Sequence, residues 1–131
     1  MHLHIDPSSS IPLYQQLVDT MKEAVARGFY SPGEKIPTVR ELAAELTINP
    51  NTVAKAYQKL EQEGIITTMR SRGTFIASRA KVYSQEEVSR MLKPALDRLR
   101  VDAYHLGLSP RELRKLVLET IEEWEKERQD T

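Results

Sequence analysis

Apolar residues recur at helical intervals along most of this chain and switch to β-type runs in one short stretch. Between Pro12 and Arg27 they fall at Leu13, Leu17, Val18, Met21, Ala24 and Val25. Gln15, Asp19, Lys22 and Glu23 lie opposite, so the segment reads as an amphipathic helix that ends at Gly28. Thr38-Val39-Arg40-Glu41 has the form of a capping box, opening a short helix from Val39 to about Leu46. Its inward residues are Val39, Leu42, Ala43 and Leu46. Asn49 as N-cap and Pro50 at the first helical position start a longer helix that stops at Gly64. Its buried stripe is Val53, Ala56, Tyr57 and Leu60. Beyond Gly64 the runs Ile65–Met69 and Thr74–Ala77 are β-branched, and Arg70-Ser71-Arg72-Gly73 separates them as a hairpin turn. Helix, helix-turn-helix and hairpin in that order predict a winged helix-turn-helix domain over residues 1–78.

The flanks are read the same way. Leu3 and Ile5 alternate with His2 and His4, consistent with a short edge strand or a loose tail. Residues 78–83 form a polar connector. Ser84 and Glu87 make a second capping box, ahead of an apolar stripe at Val88, Met91, Leu92, Ala95, Leu96, Leu99, Ala103 and Leu106. Pro94 falls inside this helix and is expected to kink it or split it near Leu92. After Gly107 a third box, Ser109 to Glu112, opens a last helix bearing Leu113, Leu116, Val117, Ile121 and Trp124. That helix is expected to fray from Glu125 onward.

Residues 79–131 thus form a helical module, and the fold class is mainly α with a small β-hairpin (α+β). Two helices build no closed core alone. Leu92, Leu96, Leu99, Leu113, Leu116, Val117, Ile121 and Trp124 need a cover, either the winged domain or a second subunit. A homodimer through these helices is the expectation.

Composition narrows the function. The chain has 131 residues, 29% of them charged and 40% hydrophobic, as in a soluble folded protein. Nineteen Lys plus Arg balance nineteen Asp plus Glu, which excludes a uniformly basic polymer. With no cysteine there are no disulfides, Cys-based zinc sites or cysteine nucleophiles. No run approaches the roughly 18 apolar residues of a membrane span. The N-terminus lacks a secretory pattern, so a cytoplasmic setting without membrane association is expected.

Charge is nevertheless uneven. From Lys35 to Lys81 eight basic residues stand against four acidic ones. Acidic residues gather between Glu119 and Glu127. A local basic face on a neutral chain suits a reader that does not coat DNA indiscriminately. With its stripe turned inward, the longer helix presents Asn51, Thr52, Lys55 and Lys59. Asn pairs bidentately with adenine, Lys donates to guanine N7 and O6, and Thr offers a hydroxyl and a methyl. Lys59 fits a phosphate contact or a solvated position better than a base contact. The hairpin tip carries Arg70 and Arg72, suited to phosphates or a neighbouring minor groove.

Three blocks resemble the motif of GntR-family bacterial transcription regulators. They are Gly33-Glu34-Lys35-Ile36-Pro37-Thr38-Val39-Arg40-Glu41-Leu42-Ala43, Asn49-Pro50-Asn51-Thr52-Val53-Ala54-Lys55-Ala56-Tyr57, and Arg72-Gly73-Thr74-Phe75-Ile76. The resemblance covers roughly residues 10–78. The Asn-Pro-Asn-Thr-Val form and the short tail resemble the YtrA-type subfamily, with its two-helix dimerisation module. The resemblance implies DNA contacts at Arg40, Asn49, Asn51, Thr52, Lys55 and the wing around Arg72-Gly73. Thr38, Lys59 and Arg70 complete the candidate set. Relatives often carry Arg where Pro50 and Ala54 stand, so a different base preference is implied. Thr47 and Ser71 occupy turn positions where the family usually has Gly. A non-Gly residue at positive φ costs about 1–2 kcal/mol, so both turns are expected to change geometry.

These readings converge on a dimeric DNA-binding regulator, expected to be a repressor that competes with polymerase at a pseudo-palindromic operator. The resemblance suggests transporter operons among its targets. An effector, if any, is expected in the cleft between the helical module and the winged domain. The alternative is a winged helix that docks a protein, against which the basic face argues. A small enzyme is disfavoured, because no Gly-rich phosphate loop or Ser/His/Asp arrangement is evident. His2, His4 and His105 lie far apart and suit exposed positions better than a metal site. No cofactor is expected, and the chain is too short for an added pyridoxal-phosphate domain.

Overall fold

Local capping sets most helix boundaries in the computed structural model, which describes residues 3–78 and 82–129. The order is α1 (Leu13–Ala26), β1 (Lys35–Ile36), α2 (Val39–Leu46), α3 (Pro50–Gln62), β2 (Ile66–Met69), β3 (Gly73–Ile76), α4 (Gln85–His105) and α5 (Pro110–Gln129). Thr38 Oγ1 accepts the Glu41 N–H at 3.2 Å, and Asn49 Oδ1 accepts the Asn51 N–H at 2.8 Å. Ser109 and Glu112 close a full capping box, each backbone N–H donating to the other's side chain at 3.1–3.2 Å. At Thr38 the return bond from Glu41 does not form among the described residues. That box is therefore half made.

Four helices end in one way. An N–H just past the helix reaches back to a carbonyl five residues earlier, as in Phe29 to Ala24, Ile65 to Leu60 and Leu108 to Ala103. The residue before it takes a left-handed conformation. Glycine holds that place after α1, α3 and α4. After α2 it is Thr47, with φ 55°, and the Ile48 N–H still reaches Ala43 at 3.0 Å. Ser71, at φ 68°, likewise keeps a left-handed wing turn. The expected change of geometry at Thr47 and Ser71 does not occur. The backbone hydrogen bonds that close each turn, Ile48 to Ala43 and Arg72 to Met69, hold the backbone where glycine would sit more easily.

The chain divides into two compact units, Met1–Ala80 and Lys81–Thr131. In the first, α1, α2 and α3 surround a core of Leu17, Val18, Met21, Leu42, Val53 and Leu60, closed by Ile36, Ile66 and Ile76 from the strands. Each such side chain contributes about 1.5–3 kcal/mol on burial. The hairpin proves to be two strands of a three-stranded antiparallel sheet, ordered β1-β3-β2. Lys35 lies opposite Phe75 and Ile36 opposite Thr74, while Ile66 pairs with Ile76 and Met69 with Gly73. β1 is two residues long between Gly33 and Pro37, too short to show a period.

Among the described residues, those from 3 to 12 form no strand. Leu3 is buried and Ile5 packs on the core. Gln16 ties this arm to α1: its Oε1 accepts the Asp6 N–H at 2.8 Å, and its Nε2 donates to the Asp6 and Ile11 carbonyls. Bonds from Ser8 lower the Asp6 carboxyl below its ordinary range.

In the second unit α4 runs unbroken through Pro94, so the predicted split near Leu92 is absent. Proline removes the N–H that would meet the Arg90 carbonyl. That stretch is exposed, so water can satisfy the carbonyl. The last helix does not fray at Glu125 but continues to Gln129. Lys126 and Arg128 in its last turn complement the helix dipole, and Arg128 lies 5.9 Å from the Trp124 ring centre. His2, residues 79–81 of the predicted connector and the last two residues of the fraying segment lie outside the described residues.

Candidate nucleic-acid interface and apolar helical face

The α3 stripe decides which side chains face outward. Val53, Ala56 and Leu60 are fully buried, and Tyr57 is buried at their edge. The Tyr57 hydroxyl donates to the Pro37 carbonyl at 2.7 Å, tying α3 to the segment that leads into α2. Burial holds this phenol well above its ordinary pKa, so it stays a neutral donor. Tyr57, read from sequence as a packing residue, therefore also joins the two halves of the helix-turn-helix.

On the opposite side Asn51 and Lys55 are exposed and Thr52 is half-buried. Asn49 is exposed beside them, its side-chain oxygen spent on the α3 cap. Arg40 is exposed on α2, and Thr38 caps that helix. Arg70 and Arg72 are exposed at the wing, where the Arg72 N–H closes the turn on the Met69 carbonyl at 3.0 Å. Among the described residues Arg40, Lys55, Arg70 and Arg72 enter no ion pair within the protein. Their charge remains available to an outside anion.

Lys59 is placed differently. Its Nζ donates to Gln15 Oε1 at 2.7 Å, and Gln15 Nε2 donates to Asp19 at 2.8 Å. Lys59 is thereby anchored on α1. Lys55 also leans toward α1, with its Nζ 3.9 Å from the centre of the Tyr14 ring. A shallow groove of about 440 Å³ runs between Pro12, Leu13, Tyr14 and the α3 residues Asn51, Thr52 and Lys55. Sequence reasoning missed Tyr14 and Gln15. Tyr14 stands at helical spacing from Leu17, Val18 and Met21 and belongs to the α1 stripe. That its ring meets α3 depends on how the two helices cross. Lys35 was also missed: its stem covers Gly73, where an added Cβ would come within 2.9 Å of Lys35 Cε. The flexible lysine stem can shift aside, so it is the φ of 121° at Gly73 that disfavours a side chain there.

The second unit shows an opposite character. Among its described residues only Ala103 is buried. Leu92, Leu96, Leu99, Leu116, Ile121 and Trp124 are 41–60% exposed, and Leu113 and Val117 are half-buried. The two helices pack little against each other and flank a largely apolar cleft of about 790 Å³, lined by Leu96, Leu99, Leu113, Val117 and Ile121. His4 and His105 are both exposed, at opposite ends of the sequence. Among the described residues no helix is long and apolar enough to cross a membrane.

A three-helix domain with a small sheet, a polar face on its third helix and a basic wing defines a DNA-binding winged-helix transcription regulator. The pattern described as bacterial regulatory proteins, gntR family, matches residues 13–76. The HTH-type transcriptional repressor YtrA of Bacillus subtilis is 46% identical over 125 residues, covering 95% of this chain and 90% of that protein. A solved structure titled as a transcriptional antiterminator from Listeria monocytogenes EGD-e superposes with a TM-score of 0.79 at 36% identity, covering 95% of this chain and 92% of that one. The AraR DNA-binding domain in complex with operator ORX1 matches 59% of this chain and 99% of its own, with a TM-score of 0.52 and 29% identity. The chain belongs to the gntR family of bacterial transcription regulators.

Proposed function

We propose that the protein is a homodimeric cytoplasmic repressor without catalytic activity, reading a pseudo-palindromic operator with one α3 in each of two successive major grooves. The observation that carries this reading is the outward polar row of exposed Asn51 and Lys55 with half-buried Thr52, on a helix whose other face is locked in the core. Asn51 and Lys55 supply hydrogen bonds to base edges, and Thr52 supplies close contact. Arg40, Asn49, Arg70 and Arg72 hold phosphates and set the register. Thr38 places the start of α2, Gly73 lets the wing turn tightly, and Lys59 ties α3 to α1 through Gln15. Dimerisation through α4 and α5 would cover the apolar residues that one chain leaves exposed. Occupancy of a promoter-overlapping operator would exclude polymerase. An effector that changed the spacing of the two recognition helices would release the dimer, because affinity depends on both half-sites.

The test is selection of bound duplexes from a random pool at near-physiological salt. An inverted repeat with half-sites about 10 bp apart is the expected product. The reading fails if no sequence is enriched, or if Arg40→Ala combined with Lys55→Ala leaves affinity for the enriched site unchanged.

A further inference from the structure

We propose that Tyr14 is a positioning residue for DNA reading, holding the Lys55 ammonium on its ring face at the entrance to the α3 reading surface. The inference rests on Lys55 facing DNA, as argued above, and adds α1 to the elements that set sequence preference. Lys55 Nζ lies 3.9 Å from the ring centre, well inside the range of a cation–π contact. Lys59 Nζ, at 6.0 Å, marks the outer edge of the same ring but is held by Gln15. The two lysines thus divide the surface of α1 between them: Lys59 takes the amide, and Lys55 takes the ring. Asn51, Thr52 and Tyr14 line one groove with Lys55, so the ring stands beside the residues that would meet bases.

The chemistry allows both contacts at once. An ammonium has three N–H bonds. One directed at the ring leaves two for guanine O6 and N7. A solvated lysine samples many rotamers, and confining it at the moment of binding lowers affinity. A ring that already confines it removes part of that loss. Tyr14 itself packs on the core, so it does not move with the lysine.

The test is a double-mutant cycle on the full-length protein, using the duplex that the wild type selects from a random pool and its single-base variants. Tyr14→Leu keeps apolar packing and removes the ring face; Tyr14→Phe keeps both. Thermal melting of each variant separates loss of fold from loss of binding. Tyr14→Leu is expected to weaken binding about 3- to 10-fold and to flatten preference at the same base pair that Lys55→Met affects. Tyr14→Phe should restore both. In a Lys55→Met background Tyr14→Leu should have no further effect. The proposal is overturned if Tyr14→Leu weakens binding equally in both backgrounds, which would make it an independent phosphate or packing contact. It is also overturned if Tyr14→Leu tightens binding, since the ring would then sequester Lys55. If Lys55→Met lowers affinity equally for every base variant, Lys55 touches phosphate instead of bases. The base-reading role then fails, while the cycle still tests positioning through affinity alone.

Discussion

Thr47 and Ser71 show how single residues are overruled by their surroundings. Each occupies a left-handed conformation that its Cβ disfavours by about 1–2 kcal/mol. Glycine would relieve that strain but lose more entropy on folding, by about 0.5–1 kcal/mol. Ser71→Gly is therefore expected to raise stability by about 0.5–1 kcal/mol and Tm by a few degrees in thermal unfolding. Tyr57 makes a second case. Its phenol is held above its ordinary pKa chiefly by burial, and Tyr30 shifts the same way for the same reason. The folded state keeps these protons when the unfolded chain loses them near pH 10. The Tyr57 contribution is thus fully present below about pH 10 and declines above it, by up to about 1.4 kcal/mol per pH unit, while the half-exposed Tyr30 acts in the same direction but more weakly, because solvent screens it. Tyr57→Phe should flatten that alkaline decline in denaturant titrations. At neutral pH it should cost about 1–2 kcal/mol, because the Pro37 carbonyl loses its donor.

At the scale of elements, the N-terminal arm depends on one side chain. Gln16 satisfies the Asp6 N–H and the carbonyls of Asp6 and Ile11, and so seats Leu3 in the core. Gln16→Ala should lower stability by about 1–2 kcal/mol. Hydrogen exchange at the Asp6 amide should accelerate while α4 and α5 stay protected. Protection at Asp6 equal to wild type would show that Leu3 and Ile5 hold the arm without it. Helix positions were legible here because capping residues and apolar spacing act within a few residues of each other. Serine at 84 and 109 and threonine at 38 mark starts, and glycine at 28, 64 and 107 marks ends. β1 was not legible. Two residues have no period, and only β3 beside them makes them a strand.

For the whole molecule, the two units differ in how far they bury their apolar side chains. The winged unit buries or half-buries most of its large aliphatic side chains, whereas α4 and α5 leave Leu96 at 60% and Leu116 at 51% exposure. Exposed apolar area on this scale favours association. Leu116→Asp should shift the sedimenting species from dimer toward monomer at micromolar concentration. It should also weaken binding to an inverted repeat far more than to a single half-site, since linkage of two weak sites carries the affinity. A wild type that already sediments as a monomer would disprove dimerisation through these helices.

Helix spacing, the three serine or threonine helix starts, the α3 stripe and the excess of basic residues between Lys35 and Lys81 were decided by sequence alone. Each depends on local periodicity or composition, which the chain carries without reference to its fold. The inward turn of Val53, Ala56, Tyr57 and Leu60 already implied an outward Asn51, Thr52 and Lys55, because one helix face excludes the other. Tertiary structure decided the rest. The crossing of α1 and α3 brought Tyr14 under Lys55 and Gln15 to Lys59, pairs 41 and 44 positions apart. Backbone hydrogen bonds across each turn kept Thr47 and Ser71 in glycine-like conformations, and solvent exposure let α4 pass through Pro94. Such outcomes depend on which surfaces meet, and no spacing within a single segment encodes that.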